Sequence, residues 1–262
     1  MILPLQQSLK TLSVMVGVVL AAVIGPAQAQ TFTSPDTTVT LLEVYTSQGC
    51  SSCPPAEHWL GKFVDDPRLW RQFIPINFHV DYWDYLGWKD PFASAEFSAR
   101  QRQYQQLGYA NNVATPGFIM NGRGWNGWFY GQTPSLSETE AEGVIIAELH
   151  DQSVSIRYVP RLPDSPKPLM QQLEVHVAVL GFDVLTEVPR GENRGKKLVH
   201  DFVVLGATSQ LMTRQEDQAT AQLTLPDVSE FLSKKLALVI WVSAVGDPRP
   251  IQAAGGWLDN AH

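Results

Sequence analysis

Apolar residues along this chain fall into two regimes. From Val39 to about Asp151, strand-like runs alternate with stretches whose apolar spacing is helical. Val39–Tyr45 reads as a strand, Ala56–Val64 as a helix and Phe73–Val80 as a second strand. Ala93–Leu107 reads as a helix, Gly117–Met120 as a strand ending in an Asn121-Gly122 turn, and Trp125–Tyr130 as a further strand. A closing helix is predicted from the capping-box spacing of Ser137 and Glu140 ahead of Val144, Ile145 and Leu149. The order is β-α-β-α-β-β-α. From Ser153 onward strands follow one another without helices between them: Val154–Val159, Leu173–Leu180, Leu198–Leu205, Ala221–Leu225 and Leu236–Val245. Alternation at Leu173, Val175, Val177 and Val179, with a turn-rich connection over Pro160–Pro168, predicts a small antiparallel sandwich.

A third pattern precedes both. Lys10 stands before an apolar run, Thr11–Ile24, that is too short to span a bilayer; Gly25 and Pro26 break it, and Ala27-Gln28-Ala29 puts small residues where an export peptidase cuts. The expected organisation is a signal peptide over 1–29, an α/β domain over 30–151 and a β-rich domain over 152–262. The residue directly after the cleavage site is Gln30 and not Cys, which argues against a lipid anchor, and Leu236–Val245, the most apolar later run, has strand length and not the length of a membrane span. The expected location is the periplasm or the outside of the cell.

Composition narrows the function. With 44% apolar and 17% charged residues over 262 positions, the chain is neither disordered nor fibrous. Its net charge is −7, or −8 once Lys10 leaves with the leader. The one basic cluster, Arg190–Lys197, is interrupted by Glu192 and two glycines, so a nucleic-acid partner is not expected. Two cysteines are too few for a disulfide scaffold. Export would place them in an oxidising compartment, where a nearby pair forms a disulfide unless it is kept reduced.

That pair is Cys50-Ser51-Ser52-Cys53, at the end of a strand and the start of a helix opened by Pro54 and Pro55. A helix N-terminus offers free N–H groups and a positive dipole end, which stabilise a thiolate. Cys50 is therefore the expected exposed nucleophile and Cys53 the resolving thiol. Thr115-Pro116, at the head of the strand Gly117–Met120, is the second element. X-Pro bonds are the common cis peptides, and a cis-proline there would leave the Thr115 backbone free to pair with a substrate chain.

Strand, C-x-x-C, helix, strand, helix, T-P, strand, N-G, strand, helix resembles the thioredoxin fold across roughly residues 39–150. The resemblance implies a cis Pro116 packed against the dithiol. More narrowly, Glu43–Ala56, Phe78–Phe92 and Arg190-Gly-Glu-Asn193 resemble the exported bacterial thioredoxin-like family catalogued as domain of unknown function 1223, across nearly the whole chain after the leader. That likeness implies a fold, export and a C-x-x-C, and no substrate. The expected fold class is thus an α/β thioredoxin-like domain followed by a mostly antiparallel β-sandwich domain.

The chain departs from ordinary thioredoxins around the motif. Serines separate the cysteines and Gly49 precedes them. The acid that such proteins carry six residues before the first cysteine is replaced by Val44, while Glu43 lies seven before. Strand side chains alternate faces, so Glu43 is either a proton shuttle, if a bulge restores it, or a salt-bridged strand residue. Two prolines after Cys53 disfavour helical geometry at Cys53 and Pro54.

Between the first helix and Thr115 the chain carries Phe78, Tyr82, Trp83, Tyr85, Trp88 and Phe92. These rings either form a peptide-binding wall or lid, with Trp83 and Trp88 as candidate substrate contacts, or pack as core. His79, Asp81 and Asp84, with His58 and the cysteines, raise a copper or zinc alternative; His79 equally fits a hydrogen-bonding role. Arg190, Glu192, Asn193, His200 and Asp201 are further polar candidates in the β-rich half.

The sequence thus points to a periplasmic thiol-disulfide oxidoreductase. Cys50, Cys53, Pro116 and Glu43 are its candidate catalytic residues, and Thr115, Trp83 and Trp88 its candidate substrate contacts. No cofactor is called for, and the expected partner is a periplasmic protein or small thiol. Copper delivery, or a binding module with a structural disulfide, are the alternatives; so short a loop gains little stability from a staple.

Overall fold

The computed structural model describes residues 29–136, 139–161 and 171–259. Along the chain run β1 (Gln30–Thr33), β2 (Thr40–Thr46), α1 (Pro54–Gly61), β3 (Phe73–Val80), β4 (Ala93–Ser94), α2 (Ala95–Gln106), β5 (Gly117–Met120), β6 (Arg123–Gly124), β7 (Gly143–His150) and β8 (Ser153–Pro160). There follow β9 (Leu173–Phe182), β10 (Val184–Glu187), β11 (Lys197–His200), β12 (Val203–Leu211), β13 (Thr213–Arg214), β14 (Ala219–Thr224), β15 (Lys235–Ala244) and β16 (Pro250–Trp257). Two 3-10 helices, Asp84–Leu86 and Gly127–Tyr130, complete the described elements.

A nine-stranded sheet runs in the order β16-β15-β9-β12-β3-β2-β5-β6, with β4 beside β3. Strands from both sides of residue 151 therefore share one sheet, joined where Val203 of β12 pairs with Asn77 of β3. β2 and β3 lie parallel at its centre with every residue buried, as expected for strands covered on both faces. A five-stranded sheet, β1-β7-β8-β14-β13, packs against part of the large one. Ile145 and Ala147 of β7 and Val154 and Ile156 of β8 face Val175, Val177 and Val179 of β9 and Leu238, Ile240 and Val242 of β15. The alternate residues of β9 and β15, among them Ala178, Leu180, Val239 and Trp241, join a second core with Leu60 of α1 and Phe97 and Tyr104 of α2. Each fully buried Val, Leu or Ile side chain among these contributes roughly 1.5–3 kcal/mol.

The α/β thioredoxin-like domain expected from the sequence is overturned. Sixteen strands stand against two α-helices and two short 3-10 helices among the described residues, in mixed and antiparallel sheets. The decisive segment is the expected closing helix. Its residues Gly143–His150 form β7, hydrogen-bonded to β1 and β8. Ile145, Ala147 and Leu149 alternate inward as strand residues, and a tight turn at Asp151 (φ 53°) folds β8 back on β7. Pairing on both edges overrides a spacing that also fits a helix. The Ser137 cap lies outside the described residues, as do most of the Pro160–Pro168 connection and the leader before Ala29.

Smaller corrections follow the same logic. The strand expected at Trp125–Tyr130 is a 3-10 turn closed by Gly131 (φ 68°), preceded by the two-residue β6. Leu198–Leu205 is split into β11 and β12 at Phe202 (φ 57°). β10 and β16 have no counterpart in the sequence reading. Among the described residues no helix is long and apolar enough to cross a membrane.

Candidate functional site

Cys50 and Cys53 form a disulfide with Cα atoms 5.6 Å apart. The turn that carries them follows β2: the Cys50 N–H donates to the Ser47 carbonyl (3.1 Å) and the Cys53 N–H to the Cys50 carbonyl (3.3 Å). Cys53 caps α1 with helical backbone angles (φ −77°, ψ −39°) although a proline follows it, and Pro54 and Pro55 fill the first turn. The expected loosening by the two prolines does not occur. The N–H groups of Ala56 and Glu57 donate to the Cys53 carbonyl, which offsets the usual aversion of a pre-proline residue for the helical region. Both cysteines are 1% exposed, whereas Ser51 and Ser52 between them face solvent. Cys50, the expected exposed nucleophile, is covered.

Three segments cover it. The Thr115–Pro116 bond is cis, and the Thr115 carbonyl oxygen lies 3.7 Å from Cys50 Sγ. Trp83 lies over Gly49, where any Cβ would sit 2.8 Å from the Trp83 Cβ, and its indole N–H donates to Thr115 Oγ1 (2.7 Å). From the far end of the sequence comes the loop between β10 and β11. Asn193 Nδ2 donates to the carbonyls of Gln48 (2.9 Å) and Cys50 (2.8 Å), and Glu192 accepts from the exposed Ser51 N–H (2.9 Å). Those Ser51 hydrogen bonds hold the Glu192 carboxyl below its ordinary pKa.

Behind the turn lies a buried polar cluster. His200 Nδ1 sits 2.6 Å from Glu57 Oε2, His79 Nδ1 sits 2.7 Å from Asp90 Oδ2, and His79 Nε2 sits 3.7 Å from Glu57 Oε1. Gln48 ties the cluster to the cystine: its N–H donates to Asp90 Oδ2 (2.8 Å), its amide reaches Thr186 Oγ1 (3.1 Å), and Trp88 Nε1 donates to its Oε1 (2.8 Å). Burial pushes the Glu57 and Asp90 carboxyls up, but the facing imidazoles more than offset it and leave both below their ordinary values. Burial pulls His79 down; Asp90 and Glu57 reverse this and leave it raised.

Glu43 is elsewhere. Residues 43 and 45 point to the α2 face of the sheet, whereas 44 and 46 point to the α1 face, as the period of two requires. Glu43 is fully buried and takes hydrogen bonds from Tyr45 Oη (2.7 Å), Arg100 Nε (2.8 Å) and Nη2 (2.9 Å), and Tyr104 Oη (2.6 Å). It makes no hydrogen bond to either cysteine. Of the loop aromatics, Phe78 and Phe92 are buried, Tyr82, Trp83 and Trp88 half-buried, and Tyr85 is 78% exposed. His79 turns its ring nitrogens to Asp90, Asn77 and Glu57, and no hydrogen bond to sulfur is among its described partners.

Sequence reasoning missed Glu57, Gln48, Asp90 and Thr186. Glu57 alone had a local signal, four residues after Cys53 on the same helix. Gln48 and Thr186 meet only because β11 reaches α1 from the other half of the chain.

The fold and site define a predominantly β protein with a C-x-x-C cystine at a helix N-terminus, backed by paired buried carboxylates and imidazoles. The chain belongs to the family described as protein of unknown function (DUF1223), whose model matches residues 41–243. Among solved structures it is similar to protein AGR_C_4864 from Agrobacterium tumefaciens, with 25% identity and a TM-score of 0.58, over 87% of this chain and 98% of that one. It is also similar in fold to HBP35 of Porphyromonas gingivalis, with 13% identity and a TM-score of 0.58, over 87% of this chain and 77% of that one. No curated protein matches it.

Proposed function

We propose that this chain is an exported thiol–disulfide exchange protein whose working group is the Cys50–Cys53 cystine. The observation that carries the reading is the convergence on one short turn of the α1 N-terminus, the Thr115 backbone, Trp83 and the Glu192–Asn193 loop. A disulfide kept only as a staple closes too short a loop to need such surroundings. Lys10, the apolar run to Ile24 and Ala27-Gln28-Ala29 support export, hence an oxidising compartment.

In the reductive direction an incoming thiolate attacks Cys50 Sγ, the Cys50–Cys53 bond breaks, and Cys53 leaves as a thiolate at the helix N-terminus, where the dipole favours its charge. A second substrate thiolate then attacks the mixed disulfide, releasing an oxidised substrate and the Cys50 thiolate. Two substrate thiols are oxidised and one cystine is reduced. The reverse sequence reduces a substrate disulfide, with Cys50 attacking and Cys53 resolving. Because both sulfurs are covered, the loop carrying Asn193 must part from the turn before a bulky substrate enters. Thr115 and Trp83 cover the same turn.

Trapping tests this reading. A Cys53→Ala chain incubated with an oxidised dithiol peptide is expected to accumulate a mixed disulfide on Cys50; a chain that gives none, while folded, rejects exchange. Burial of both cysteines favours a second reading, a structural disulfide within a binding module. Under that reading the natural chain resists reduction until it unfolds.

A further inference from the structure

The cluster behind the cystine turn has a composition that exchange chemistry does not use. It gathers two carboxylates, Glu57 and Asp90, and two imidazoles, His79 and His200, all buried, with no Lys or Arg among their described hydrogen bonds and ion pairs. Buried charge of this kind is balanced by protons on the imidazoles or by a bound cation. One donor atom from each of Glu57, His79 and His200 lies within 4.8 Å of the others. The Glu57 carboxylate is central, 2.6 Å from His200 Nδ1 and 3.7 Å from His79 Nε2. In a tetrahedral site with bonds of about 2.0–2.1 Å, neighbouring ligand atoms stand roughly 3.3 Å apart, so small side-chain shifts bring the three into register.

The outer partners are also in place. Asp90 Oδ2, 2.7 Å from His79 Nδ1, fixes the tautomer that leaves a lone pair on Nε2, the nitrogen that faces the Asn77 amide (3.3 Å) and Glu57 (3.7 Å). Thr186 Oγ1, 2.9 Å from His200 Nε2, and the Gln48 side-chain amide, 3.4 Å from the same nitrogen, hold the His200 ring with Nδ1 toward Glu57. Carboxylate and hydroxyl groups behind metal-ligating imidazoles hold ring orientation and raise ligand basicity. Phe92 packs edge-on against both rings (centroids 5.4 and 5.3 Å), giving the cluster a dry wall. Of the three, Glu57 also lines a cleft of about 470 Å³ between α1 and β11, together with His58 and Asp201.

We propose that Glu57, His79 and His200 form a divalent metal site of the zinc type, beside the α1–β11 cleft, with Asp90 and Thr186 as its outer partners. Two nitrogens and a carboxylate suit Zn²⁺ over Mg²⁺ or Ca²⁺, which take oxygen, and over Cu(I), which takes sulfur. Three protein ligands leave a fourth position open. The proposal goes beyond thiol–disulfide exchange and does not rest on it, since no sulfur is a ligand.

Calorimetric titration of the chelator-treated full chain with ZnCl₂ tests it. One Zn²⁺ per chain is expected, with equal affinity in a Cys50→Ser/Cys53→Ser variant. Glu57→Gln and His200→Ala should each weaken binding at least about tenfold, and Asp90→Asn by about 10–100-fold. Because substitutions in a buried cluster can unfold the chain, X-ray absorption of the zinc-loaded natural protein supplies an independent reading. A shell of nitrogen and oxygen alone at about 2.0–2.1 Å supports the site. No stoichiometric uptake by the natural chain, sulfur in the first shell, or undiminished binding by folded Glu57→Gln and His200→Ala chains would overturn it.

Discussion

Two buried polar clusters lie on opposite faces of the same pair of strands, and they are built differently. On the α2 face Glu43 is held by Arg100, Tyr45 and Tyr104, and Tyr104 Oη also reaches the Pro248 carbonyl (2.8 Å). Burial and the Glu43 carboxylate push Tyr45 and Tyr104 well above the ordinary tyrosine range; the same carboxylate outweighs the burial of Arg100 and keeps its guanidinium charged. That cluster has a permanent cation and is closed on itself. On the α1 face Glu57 and Asp90 are paired with imidazoles, the cluster is tied through Gln48 to the cystine turn, and Glu57 also lines a cleft. The first arrangement fits a structural clamp between α2 and the large sheet. The second fits chemistry, because it lacks an Arg or Lys among its described partners and is joined to the cystine turn.

Perturbing each side separately sharpens that contrast. The largest effect is expected from Arg100→Met, which leaves the Glu43 carboxylate buried without its cation and should cost about 3–5 kcal/mol in urea unfolding. Reduction of the cystine by dithiothreitol should keep its rate. A change in that rate as large as the one below would erase the division between the clusters.

Next comes a pH effect on the Arg100 side. Burial, helped by Arg100, holds His176 down at about 3, while the unfolded chain takes up its proton near 6.5. Because the folded pKa is depressed, the stability this imidazole contributes is fully present above pH 6.5. It is lost as pH falls from 6.5 toward 3, at up to about 1.4 kcal/mol per pH unit. Unfolding curves across that range should show the slope, and His176→Gln should reduce it.

Asn193→Ala comes third. Its amide serves the buried carbonyls of Gln48 and Cys50, so its loss should cost about 1–3 kcal/mol. It should speed reduction of the folded chain by dithiothreitol severalfold, followed by timed alkylation and mass analysis. An unchanged rate would mean that this loop does not guard the cystine. Glu192→Gln should have the smallest effect, within about twofold on the same rate, because an exposed carboxylate adds little to a backbone hydrogen bond already in place.

Much of the strand content was legible because it was written locally. β2, β3, β5, β8, β9 and β15 appear close to where apolar runs place them, and the C-x-x-C followed by two prolines marks the start of α1. What the chain did not reveal is pairing. Val144, Ile145 and Leu149 satisfy a helical spacing, yet β1 from before the α/β-like pattern and β8 from after it claim both edges of β7. The same non-local pairing joins β12 to β3 and so carries the Arg190–Lys197 loop onto Cys50 and His200 onto Glu57. Glu43 shows the reverse case: its distance from the cystine helix follows from strand alternation alone. His79 and His200, 121 positions apart, become neighbours only in the folded sheet.

The central claim is that Cys50 and Cys53 exchange electrons while the chain stays folded. Equilibration of the purified natural protein across glutathione buffers, with the dithiol fraction read by alkylation and folding by circular dichroism, tests it most directly. The account predicts a two-electron transition in the folded chain, with a midpoint between about −270 and −120 mV, the span of known exchange proteins. A cystine that stays oxidised below about −300 mV, the range of structural disulfides, or one that is reduced only as the chain unfolds, would contradict it.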